Sequence, residues 1–201
     1  MRPEDDPGWA MFPETRLELE LGGERVELDL RRPIDAVAAA TCAAAGLRAP
    51  WVVVTACNPG GGGFAEPDAA AAADQRLRER LRGVAAEARS DSSPGVVAVW
   101  RATGRSIDGR HVEPGWAAPV PVAVGQRIAG AFGQTAIFAF LDAGLRSDGG
   151  QGGGQGGQRG QRGQRGQDGL SGGACGLEAW IQPVAGGVHA VRLPHSGRSG
   201  D

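Results

Sequence analysis

Hydrophobic and polar positions alternate cleanly from residue 15 to residue 30. Leu17, Leu19 and Leu21 share one face, and Val26, Leu28 and Leu30 answer them across Gly22-Gly23-Glu24-Arg25. Glu18, Glu20, Glu27 and Asp29 take the other face, so the pattern predicts a hairpin with one wet side. An alanine-rich run from Ile34 to Ala45 follows. Pro33 before it and Gly46 after it predict a helix. From Trp51 to Cys57 the alternation stops and the chain is continuously apolar, which predicts a central strand buried on both faces. Asp68 to Arg89 places Leu77, Leu81 and Val84 at helical spacing among arginines, the mark of an amphipathic helix.

Further strands are expected over Val96–Trp100, Thr135–Leu141, Gly176–Gln182 and Val188–Leu193. A short helix is expected from Gly125 to Phe132. Trp116–Val124 reads as a strand broken by Pro119 and Pro121, and therefore as an edge or a bulge. The sum is an α+β fold, a single domain with a mixed β-sheet and two or three packed helices. The domain takes residues 15–146 and 174–193, with tails at 1–14 and 194–201. Residues 147–173 form a Gly/Gln/Arg-rich insertion in which Arg159, Arg162 and Arg165 recur every third position. It has nothing apolar to bury and is expected to be disordered.

With 201 residues the chain has room for one domain. Its basic residues are all arginine and it has no tyrosine, a bias expected of a high-GC, bacterial gene. The net charge of −2 and pI near 5.9 give no general field for nucleic acid or an acidic membrane. The Gln-Arg-Gly repeats lack the aromatics that stack on bases, which argues against nucleic acid there too. Cys42, Cys57 and Cys175 have no metal-ligand spacing and suit a reducing cytoplasm. The acidic, proline-bearing opening residues lead to the expectation of no export signal, and no apolar stretch reaches the roughly 20 residues of a membrane span. No metal, cofactor or membrane partner is expected, and oligomeric state is left open.

Thr55-Ala56-x-Asn58-Pro59, then a helix, then Glu113-Pro114-x-Trp116, then Phe132-Gly133-Gln134-x-Ala136-Ile137 form a combination in fixed order. In that order and spacing, residues 50 to 142 resemble the bacterial family catalogued as domain of unknown function 3293. Cys57 stands where that family usually has an aromatic. Asp74 stands where an asparagine commonly opens the helix, and Gly115 where a serine often follows the Glu-Pro pair. The resemblance implies a shared fold and, by position, a shared site; it brings no reaction.

The residues themselves point to where a site would lie. Thr55 and Asn58 end a central strand, the place where loops diverge and ligands bind. Glu113 and Gln134 are expected at neighbouring strand beginnings, so the four converge on one rim if they are more than turn and capping residues. The leading expectation is binding of a small polar or anionic ligand by Thr55, Asn58, Glu113 and Gln134. One alternative is an enzyme with Glu113 as acid or base, which requires burial to raise its pKa. The other is a protein-interaction module using the sheet edge and the insertion. Gly60–Gly63 invites a phosphate-loop reading, but the spacing is wrong and no lysine exists, so a Walker-type site is excluded. Cys57 has a nucleophile's position with His111 as a conceivable partner, though a small buried residue is favoured. Arg76, Arg78, Arg80 and Arg82 read as a solvated helix surface.

Overall fold

The computed structural model describes residues 14–56, 66–87, 99–142, 177–184 and 191–192. Its strands are β1 (Thr15–Leu21), β2 (Glu24–Asp29), β3 (Trp51–Thr55), β4 (Trp100–Ser106), β5 (Val112–Ala118), β6 (Ala136–Asp142), β7 (Leu177–Pro183) and β8 (Val191–Arg192). The helices are α1 (Ala36–Ala44), α2 (Pro67–Glu87) and α3 (Val122–Ala131). One sheet runs in the order β2-β1-β4-β5-β3-β6-β7-β8.

The β1–β2 hairpin turns on Gly22 and Gly23, both at positive φ, with Leu21 opposite Glu24. Two left-handed central residues match the twist of the flanking strands, which only glycine provides cheaply here. Leu17, Leu19, Leu21, Leu28 and Leu30 are all buried, as the alternation predicts. Helix α1 starts later than Pro33 suggested. Asp35 is its cap and accepts from the Ala38 amide at 2.8 Å, satisfying a donor that the first turn leaves open. β3 is central and buried on both faces: Trp51 and Val53 enter one core, Val52 and Val54 the other.

The α+β class stands, but every strand pair is antiparallel where a mixed sheet was expected. The reason lies in two split crossovers. Helix α2 joins β3 to β4, which run in the same direction, yet β5 inserts between them. Helix α3 likewise joins β5 to β6, and β3 inserts between those. Strand–helix–strand succession in the sequence suggests parallel neighbours; the inserted strand removes them.

Boundaries shift in consequence. The fourth strand runs from Trp100 to Ser106 rather than ending at Trp100, and residues 96–98 lie outside the described residues. Its inward positions are small because Ala102 faces Leu19 and Gly104 faces Leu17, so bulk comes from β1 and no apolar alternation marks the strand. The fifth strand begins at Val112, ends at Ala118, and is interior rather than an edge. Pro114 lies just past the last pair between β5 and β3, Thr55 to Gly115, so its missing N–H interrupts none of those pairs. Residues Val122 to Val124 open α3 instead of extending a strand. β6 and β7 fall within a residue or so of expectation.

The two sheet faces carry separate cores. On one, Cys42 and Leu47 from α1 and its exit pack with the β1–β2 leucines and with Phe138, Phe140, Leu177 and Ile181. Strands β1 and β7 stand far apart in the sheet order yet share this core, so the sheet curls over α1. Trp51 stacks on its cross-strand partner Phe140 with centroids 3.7 Å apart. On the other face, Leu77 and Leu81 of α2 and Ile128 and Ala129 of α3 cover Val52, Val54, Ala118 and Ile137. Gly125 lets α3 approach closely, since a Cβ there would stand 2.9 Å from a Val52 methyl. No helix among the described residues is long and apolar enough to cross a membrane.

Candidate functional site

Because β5, β3 and β6 are consecutive in the sheet, the end of β3, the start of β5 and the turn into β6 meet at one edge. Thr55 is the last residue of β3, and alternation puts it on the face of Trp51 and Val53. Glu113 is the second residue of β5, inside the strand and paired with Gly104. Gln134 follows α3 directly. That helix ends in a Schellman motif: Gly133 takes φ 70°, its amide donates to the Gly130 carbonyl, and the Gln134 amide donates to the Ala129 carbonyl. The Phe-Gly-Gln signature is thus a helix stop that aims the glutamine at β3.

Three of the four expected residues come together. The Thr55 Oγ1 lies 3.0 Å from Glu113 Oε1 and 2.8 Å from Gln134 Oε1. Asn58, like Cys57, Gly60–Gly63, Cys175 and the insertion, lies outside the described residues. A threonine hydroxyl has one proton and cannot donate to both oxygens. Turning the Gln134 amide about its own axis resolves the conflict: its NH2 then donates to Thr55, and Thr55 donates to Glu113. Either orientation leaves one group of the amide unused. The outer atom, placed as Nε2, is shut off from solvent and meets no hydrogen-bond partner among the described residues.

His111 borders the site, with Nε2 3.7 Å from the second oxygen of Glu113. The β4–β5 turn fixes its place. The Ser106 hydroxyl donates to Asp108 at 2.6 Å, the His111 amide donates to Ser106 Oγ at 2.9 Å, and the Ser106 amide donates to the His111 carbonyl. The hydrogen bond from Ser106 holds the Asp108 carboxyl below its ordinary range. Glu113 sits between Thr55 and His111, so the order is hydroxyl, carboxylate, imidazole. Nucleophile activation of the serine-protease kind needs the imidazole in the middle. The arrangement therefore does not set up Thr55 for activation through His111.

Residues 54–137 match the family described as "Protein of unknown function (DUF3293)". That segment is a member of this family. The DUF3293 segment begins in β3 and ends in β6, so it contains both split crossovers together with Thr55, Glu113 and Gln134, and leaves out β1, β2, α1, β7 and β8. No curated protein and no solved structure matched the chain.

Gly115 and Asp74, the two positions singled out beside the motifs that lie among the described residues, have clear structural roles. At Gly115 an added Cβ would stand 2.6 Å from the Val54 carbonyl oxygen, so this backbone leaves no room for a side chain. Asp74 does not open a helix; it lies inside α2, with Arg101 Nη1 2.9 and 2.7 Å from its two oxygens and the Trp116 indole N–H donating at 3.0 Å. Sequence reasoning missed this cluster, including Arg78, which lies over Trp116 instead of in solvent. The signal was present: Asp74, Leu77, Arg78, Leu81 and Ala85 recur at three- and four-residue spacing and so share the inner face of α2.

Proposed function

We propose that this protein binds a small polar ligand rich in hydrogen-bond donors at the rim made by Thr55, Glu113 and Gln134, with Asn58, three positions beyond Thr55 in the sequence, as a further candidate. One observation carries the reading. Side chains 58 and 79 positions apart from Thr55 in sequence are brought onto its hydroxyl, and the amide among them keeps one polar group without a partner among the described residues. A buried polar group left unpaired costs about 1–3 kcal/mol, a cost that a ligand hydrogen bond would offset.

Charge selects the ligand class. Glu113 offers a carboxylate, and the hydrogen-bond chain from Gln134 through Thr55 leaves the glutamine carbonyl as a second acceptor. Two acceptors favour a donor such as an amine, amide or polyol over an anion at this rim. A thermal-shift panel of small amines, amides, polyols and carboxylates tests the assignment. Donor-bearing compounds should raise the melting temperature of the wild type and leave Gln134→Met unmoved. A response confined to carboxylates would overturn it.

A further inference from the structure

Glu113 and Trp116 belong to the same family motif but stand an odd number of positions apart on β5, so they serve opposite faces of the sheet. Trp116 faces α2, where three charged side chains gather around it. The Cζ of Arg78 and the Cζ of Arg101 each lie 4.9 Å from the centroid of its ring. Asp74 neutralises only one of them. Its oxygens are engaged by Arg101 and the indole N–H, and its side chain is 19 % exposed.

Arg78 has no carboxylate partner among the described residues, and its Nε is closed off from solvent with no hydrogen bond. The cluster of Asp74, Arg78 and Arg101 therefore carries one uncompensated positive charge against an aromatic plane. A guanidinium held over an indole ring is restricted in where its donor fork can point, which favours a bidentate oxyanion over freely moving partners. A partly buried cation beside a second cation gains most from such a ligand, because the low dielectric strengthens both the repulsion it relieves and the attraction it makes.

We propose that Arg78, assisted by Arg101 and backed by Trp116, forms an anion-binding site on the α2 face, taking a phosphate or carboxylate group. It is separate from the rim and independent of the function proposed there. The test follows the Trp116 indole N–H resonance of the full-length protein during titration with inorganic phosphate and, separately, with acetate, at constant ionic strength made up with chloride. A saturable shift with phosphate alone assigns a phosphate ligand, and one with acetate as well assigns a carboxylate. Arg78→Gln should weaken the binding about tenfold or more, the loss of a charge-assisted pair. Asp74→Asn keeps an acceptor for the indole and removes the competing negative charge, so it should bind severalfold more tightly. No saturable shift with either anion, an unchanged affinity in Arg78→Gln, or weaker binding by an Asp74→Asn protein that keeps its resonance dispersion would overturn the site.

Discussion

Replacing Gly115 by serine adds a side chain where β5 meets the end of β3, and the structure predicts that it harms the protein. The new Cβ would stand 2.6 Å from the Val54 carbonyl oxygen, 3.0 Å from the Thr55 methyl and 3.2 Å from the Val54 carbonyl carbon. Two of these atoms are backbone of the central strand and cannot turn aside as a flexible side chain would. Strands β3 and β5 must then separate at the Thr55–Gly115 pair, in a closely packed interior where overpacking costs about 1–3 kcal/mol and occasionally more. Removing a glycine from the unfolded chain returns up to about 1 kcal/mol, so a net loss of about 2 kcal/mol is expected. Urea denaturation would register it as a midpoint lowered by about 1 M for a slope near 2 kcal/mol/M. Gly104→Ala is the matched control. Its Cβ would meet neighbours at 3.7 Å and beyond, ordinary contact, so its stability should match wild type or exceed it by up to about 1 kcal/mol, the same return from the unfolded chain. A Gly115→Ser protein as stable as this control would refute the close approach of the two strands, and with it the position assigned to Thr55.

Two more outcomes follow from the same structure. Thr55→Val removes the hydroxyl that meets Glu113 and Gln134 and leaves both without it, so it should cost about 1–3 kcal/mol in denaturant unfolding; a change below about 0.5 kcal/mol would contradict the network. Asp29 is bound through its side chain by Arg31 at 2.9 and 2.8 Å, which lowers its carboxyl from 3.8 to about 2. A depressed carboxyl stabilises the fold above its unfolded value and loses that contribution as pH falls through the folded one. The stability gap between wild type and Asp29→Asn, about 1 kcal/mol near neutrality once screening is allowed for, should therefore close between pH 3.8 and about 2. A gap that persists at the acid end would contradict the pairing.

Elements defined by bulk were legible in the sequence. The leucines of β1 and β2, the valines of β3 and the Leu77–Leu81 stripe of α2 state their own periodicity, because in each the residue that is buried is also the one that is large. β4 and the start of β5 were not legible. Ala102, Gly104 and Gly115 are inward or interior positions where the neighbouring strand supplies the volume, and such sites carry no apolar signal of their own. Strand direction was hidden for a related reason, since the insertion of β5 between β3 and β4 is a pairing between distant segments. At the site, the convergence of Thr55, Glu113 and Gln134 was readable from motif order and strand ends. The Asp74–Arg101–Trp116 cluster was not, because Arg101 belongs to the stretch whose strand character was masked.

The central claim is that Thr55, Glu113 and Gln134 hold a ligand and do not merely pin three segments together. Native mass spectrometry of the purified protein beside Gln134→Met, with urea unfolding of both, separates the two roles. Methionine keeps the volume of glutamine and removes only the amide, so the ligand account predicts a co-purifying small molecule on the wild type, its absence from the variant, and a stability change of about 1 kcal/mol or less. Bare protein in both samples, with the variant losing the 2–5 kcal/mol or so typical of a truncated core side chain, would contradict it.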